Sequence, residues 1–173
     1  MKVVVISGSP RENANTEIMM KHVVEYVKGK DVELKFVNLS EGGFEYYRGW
    51  VDDYNEKTLQ AAKDIMAADV WLIGTPIYNS MYSAALKNLF EFVNYKETGG
   101  KTAGLAILAS GMIGFTDVQT LLTQLMSYFR VITNPTSAFI TADKIEDGQI
   151  VSDEIKSRLN ELVDNTLSIA KNN

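Results

Sequence analysis

At 173 residues, 46% of them hydrophobic and 23% charged, the chain is sized for one domain that buries a core without metal or disulfide staples. A net charge of −5 with no cluster of Lys and Arg speaks against nucleic acid as a partner. The absence of cysteine and the single histidine, His22, exclude disulfides, thiolate nucleophiles, cysteine-ligated iron–sulfur clusters and a His/Cys zinc site.

In chain order, Val3-Val4-Val5-Ile6 is wholly apolar, as suits a strand buried on both faces of a parallel sheet. That run is too short for a signal peptide, and no apolar run reaches membrane-spanning length. A cytoplasmic protein with no membrane partner is therefore expected. The strand stops at Ser7-Gly8-Ser9-Pro10, and the pattern predicts a helix over 15–27 and a less buried strand over 32–37. Residues 40–55 are irregular and carry Phe44, Tyr46, Tyr47, Trp50 and Tyr54 among acids. A helix over 56–67 precedes the apolar strand Val70-Trp71-Leu72-Ile73, which ends at Gly74-Thr75-Pro76. A helix over 82–93 presents Leu86, Leu89, Phe90 and Val93 inward; the strand Leu105-Ala106-Ile107-Leu108 follows and closes at Ser110-Gly111. After a helix over 118–129, strand-like pieces lie at 131–132 and 138–140, and a final amphipathic helix covers 152–171. Strands alternating with helices imply one domain, a parallel sheet with helices on both faces. Such sheets bind ligands beyond the carboxyl ends of their strands, so the loops after the first, third and fourth strands matter most.

The first of these loops, residues 7–16, offers the hydroxyls of Ser7, Ser9 and Thr16, the amides of Asn13 and Asn15, Arg11, and the free N–H groups of a helix start. Donors converging on a helix N-terminus suit a phosphate. No Gly-Lys-Ser/Thr follows Gly8, and only one of the three glycines of G-x-G-x-x-G is present. The alternative is local: Asn13 or Asn15 caps the helix, and Ser9-Pro10 makes a turn.

Two motifs in order resemble the NADPH-dependent FMN reductase family: Gly8-Ser9-Pro10-Arg11 with Asn15-Thr16, and Pro76-Ile77-Tyr78-Asn79-Ser80 followed by Leu86-Lys87. The resemblance spans the chain. It implies a flavodoxin-like three-layer sandwich whose five-stranded parallel sheet has the order 2-1-3-4-5. It implies FMN as cofactor, NAD(P)H as co-substrate, and hydride transfer onward to free flavin, a quinone or a similar small molecule. Carried over by position, Ser9, Pro10, Arg11, Asn15, Thr16 and Glu17 match the surroundings of the FMN phosphate. Pro76, Ile77, Tyr78, Asn79 and Ser80 match the loop along the isoalloxazine, and Ser110, Gly111 and Met112 the loop at its far edge. Many members carry two glycines there, where this chain has Ser110-Gly111-Met112-Ile113-Gly114. A homodimer or homotetramer is implied as well. A flavodoxin electron carrier or a non-catalytic FMN-binding protein is the alternative, though carriers resemble T-x-T-G-N-T in the first loop.

Outside the motifs, Tyr78 reads either as a flavin contact or as an ordinary loop tyrosine. Lys87 reads as structural, His22 as a satisfied helix side chain that cannot serve a serine-hydrolase triad, and Asp52-Asp53 as a solvated pair or an acid–base pair. The aromatics of 44–54 read as an interface first, then a pocket wall, with core under a long loop as a third reading. Phe92, Met81 and Tyr82 look surplus to the sheet and point the same way.

Overall fold

A computed structural model describes residues 1–49, 51 and 53–173. Strand β1 (Lys2–Ser7) is central: Val3 and Val5 enter one core, Val4 and Ile6 the other, which is why the run carries no polar alternation. It pairs in parallel with β2 (Glu33–Asn38) and with β3 (Val70–Tyr78). β3 pairs in parallel with β5 (Thr102–Ala109). The fifth position is shared by two short strands, β6 (Ile132–Thr133) against the start of β5 and β7 (Ala138–Thr141) against its end. Counting principal strands, the order is 2-1-3-4-5. At the break Asn134 accepts from the N–H of Thr136 at 2.9 Å and donates to Thr166 at 3.0 Å, so the interruption leaves the buried amide satisfied.

Helices α1 (Asn15–Lys28) and α5 (Asp153–Lys171) cover one face, and α2 (Glu56–Ala67), α3 (Ala84–Glu91) and α4 (Phe115–Tyr128) the other. A small hairpin, β8 (Ile145–Glu146) with β9 (Gln149–Ile150), precedes α5. No helix among the described residues is long and apolar enough to cross a membrane.

The structure departs from the sequence reading in two places. β3 runs through Gly74-Thr75-Pro76, because β5 keeps pairing with it at Thr75↔Ile107 and Pro76↔Leu108. The proline is tolerated because β1 has left the ladder at Ser7↔Gly74, so that side of the strand is an edge. β3 then turns through Asn79-Ser80 into β4 (Met81–Tyr82), and the next helix starts later than predicted, capped by Ser83, whose hydroxyl accepts from the N–H of Leu86 at 3.0 Å. The second departure concerns the aromatics. Tyr54 and Phe92 are buried together, with Tyr47 edge-on to Phe92 at 5.2 Å. For Tyr54 and Phe92 the interface reading therefore gives way to core under a long loop, while Tyr47 stays half-buried. Trp50 and Asp52 lie outside the described residues; Asp53 pairs with Arg48 at 3.0 Å.

Candidate functional site

The carboxyl ends of β1, β3 and β5 meet in a cleft of about 200 Å³ whose lining includes Arg11, Asn13, Thr16, Ile77, Tyr78 and Ser110. Its first wall depends on Gly8, whose N–H donates to the carbonyl of Gly74 at 2.8 Å. A Cβ at Gly8 would stand 2.7 Å from that carbonyl oxygen, so only glycine allows the approach. The Ser83 hydroxyl donates to the carbonyl of Gly8, while the N–H of Ser83 donates to Thr75 at 3.2 Å. One buried serine thus ties the first loop to the second. A further bond, Ser9 Oγ to Tyr78 Oη at 3.1 Å, joins them at the cleft itself, and Ser9 Oγ also accepts from the N–H of Arg11 at 3.3 Å.

Asn13 takes a left-handed φ of 53° and directs the chain into α1. The N-cap is Ala14, with no side-chain cap, so neither Asn13 nor Asn15 plays the capping role allowed for it. The N–H of Glu17 already donates to the carbonyl of Ala14 at 2.9 Å. That leaves the N–H groups of Asn15 and Thr16 for a ligand, at the positive end of the helix dipole. Ser9 and Thr16 are buried and Asn15 half-buried, whereas Pro10 and Arg11 stand exposed at the mouth.

Glu17, expected among the phosphate contacts, turns aside. Its carboxylate pairs with Lys21 at 2.6 Å and accepts from Ser40 at 2.8 Å. The bond to Lys21 holds the carboxyl below the usual carboxylate range, against a smaller opposing effect of burial, with Ser40 adding to it. With N–H and carboxylate both engaged, Glu17 steadies the first turn of α1 rather than facing the cleft.

On the second loop, Pro76 is buried and Ile77 and Tyr78 are half-buried along the cleft. Asn79 and Ser80 are the exposed tip of the β3–β4 hairpin, both left-handed, with φ of 48° and 64°. On the third loop Ser110 reaches the cleft, while Gly111 and Met112 lie outward; Met112 is 78% exposed. Six cleft residues lie outside the expected site: Glu12, Asn13, Ala14, Leu108, Ala109 and Ala142. Asn13, in the first loop, was read both as a donor amide and as a possible cap; Glu12 and Ala14 flank it, and Leu108 and Ala109 end β5. Ala142 follows β7. The rule that ligands sit beyond strand carboxyl ends extends to the fifth position and would have reached Ala142.

The remaining candidates are structural. Lys87 pairs with Glu91 on the exposed side of α3, and His22 Nε2 lies 2.9 Å from Asn160 Oδ1, joining α1 to α5. No group of three or more potential metal ligands occurs among the described residues.

The profile of the NADPH-dependent FMN reductase family matches residues 1–145. An NAD(P)H-dependent FAD/FMN reductase of Geobacillus thermodenitrificans is 26% identical over 166 residues, covering 94% of this chain and 89% of the relative. An FMN-dependent NADPH-azoreductase of Staphylococcus aureus is also 26% identical, over 99% of this chain and 96% of its own. Among solved structures, an apo NADH:FMN oxidoreductase superposes with a TM-score of 0.80 at 22% identity, covering 96% of this chain and 89% of its own. The FerB NAD(P)H:acceptor oxidoreductase of Paracoccus denitrificans gives 0.78 at 23% identity, with 99% and 97% covered. The paired loop motifs, the 2-1-3-4-5 sheet and the match over most of its length agree: this chain belongs to the NADPH-dependent FMN reductase family.

Proposed function

We propose that the chain is an FMN-dependent NAD(P)H oxidoreductase that delivers two electrons to a small organic acceptor. The observation that carries this is the start of α1, uncapped by any side chain and ringed by hydroxyls, at the point of the sheet where strand order reverses. Ser9, Arg11, Asn15 and Thr16 would hold the phosphate of FMN through two hydroxyls, two N–H groups and a guanidinium, with Pro10 shaping the turn. Pro76, Ile77, Tyr78, Asn79 and Ser80 would border the ring on one side, and Ser110, Gly111 and Met112 its far edge. Bound FMN supplies hydride acceptance from NAD(P)H and electron delivery to a second substrate. The overall balance is NAD(P)H, one proton and the oxidised acceptor giving NAD(P)+ and the two-electron-reduced acceptor.

The chain's own contribution is placement. The Ser83 and Ser9–Tyr78 bonds fix the two loops against each other, so that phosphate and ring are presented in one orientation. Backbone N–H groups fixed by the fold favour negative charge gathering at the cleft without a titratable residue. Steady-state oxidation of NADH and NADPH with a quinone or free flavin should give parallel double-reciprocal lines, since both substrates would use one site in turn. Saturable FMN binding without oxidation of either nucleotide would instead mark an electron carrier.

The assembly reading is a homodimer or homotetramer in the cytoplasm. Its support is a groove of about 700 Å³ between α3 and α4, with Tyr95, Leu125 and the exposed Tyr128 among its walls. A light-scattering mass of a single chain at micromolar concentration overturns it.

A further inference from the structure

Among the described residues, the strap of 42–49 and 53–55 forms no strand and lies against α3 through Asn88. Two of its backbone groups are held by one side chain: Asn88 on α3 accepts from the N–H of Tyr47 at 2.9 Å and donates to the carbonyl of Glu45 at 2.8 Å. The amide thus stands in for a neighbouring strand. The same strap is pinned at its other side, where Thr58 accepts from the N–H of Glu45 at 3.0 Å and Asn55 donates to the carbonyl of Gly43 at 2.9 Å. Tyr47 is set against Phe92 and stacked on Tyr54, with 6.4 Å between the latter ring centres.

Tyr47 is also a wall of a hollow of about 750 Å³ shared with Tyr78, Met81, Tyr82, Lys87 and Glu91. Tyr78 lines this hollow and the FMN cleft alike, so the two spaces adjoin at that side chain. The volume lies in the range of small-molecule sites. Three phenol rings and a thioether offer flat, polarisable surface, and the two charged side chains, Lys87 and Glu91, neutralise each other. That lining favours an uncharged planar ring over an anionic or cationic ligand.

Resting on the reductase reading above, we propose that Asn88 is a positioning residue: by holding Tyr47 it sets the outer wall of this hollow, where a planar acceptor such as a quinone is received. The quinone gains two electrons and two protons: NAD(P)H supplies the hydride equivalent by way of the flavin, water supplies the second proton, and both ring carbonyls become hydroxyls.

The test pairs hydrogen exchange with kinetics on the FMN-loaded protein, using menadione as the planar acceptor and ferricyanide as a compact inorganic oxidant that needs no ring pocket. In Asn88→Ala the Tyr47 amide should exchange about tenfold faster. The KM for menadione should rise about fivefold while that for ferricyanide moves less than about twofold. Tyr47→Leu, which keeps the backbone clamp, should give the same KM split with the residue-47 amide still protected, and it carries the test if Asn88→Ala does not fold. An unchanged Tyr47 amide in Asn88→Ala overturns the clamp. Released exchange with no KM change, or equal rises for both oxidants, overturns the pocket wall. A wild type that oxidises NADPH with neither oxidant brings down the reductase reading along with this proposal; failure with menadione alone brings down only this one.

Discussion

Arg11 stands exposed at the mouth of the cleft, beside the buried hydroxyls of Ser9 and Thr16 and the open N-terminus of α1. A charge-assisted bond from its guanidinium to a phosphate contributes about 1.5–3 kcal/mol. Arg11→Ala should therefore weaken FMN binding by roughly ten- to a hundredfold in titration calorimetry. Riboflavin lacks the phosphate, so its affinity should not move, and the melting temperature of the apoprotein should stay nearly unchanged because no core contact is lost. A variant that loses riboflavin and FMN affinity equally would remove Arg11 from the phosphate site. That Ser9, Arg11 and Thr16 stand close together was legible because each is a donor type within a few residues of one helix start. Glu17 has an i,i+4 partner in Lys21 that the helix spacing already offers, but its bond from Ser40 depends on where the end of β2 lies in space. Asn88 was equally hidden, since its partners, Tyr47 and Glu45, are 41 and 43 residues away.

At the level of elements, the β3–β4 hairpin decides where the second loop points. Asn79 and Ser80 both have positive φ, the requirement of a two-residue type I′ turn, whose twist matches the strands it joins. Asparagine adopts that region readily; serine pays about 1–2 kcal/mol for it, more than the entropy a glycine would lose on folding. Ser80→Gly should accordingly raise apoprotein stability by roughly 0.5 kcal/mol in urea unfolding at unchanged slope. A loss of stability would mean that the Ser80 side chain supports the hairpin. The hairpin was not legible, because Gly74-Thr75-Pro76 reads as a stop when β5 is not in view. The main strands and helices were legible because burial on both faces produces wholly apolar runs and one-faced burial produces the 3.6 period. The stretch from 42 to 55 has neither period in its sequence, and Asn55, Thr58 and Asn88 hold the backbone groups of Gly43, Glu45 and Tyr47 individually.

For the whole molecule, two helix layers bury both faces of the inner strands β1, β3 and β5, and three loops converge at the carboxyl edge of the sheet. The β2-β1-β3 reversal separates the first two of these loops and opens the cleft between them. The cleft, with its donor groups, and the tyrosine-walled hollow beside it meet at Tyr78. That arrangement suits a cofactor held by its phosphate, with its ring exposed to a second planar molecule. The most direct measurement is to load the protein with FMN, remove oxygen and mix it with NADPH or NADH in a stopped-flow spectrometer. Rapid bleaching of the visible flavin band, reversed on adding menadione, is the outcome expected of an NAD(P)H-dependent flavin reductase. Bound flavin that keeps its colour with both nucleotides would contradict it.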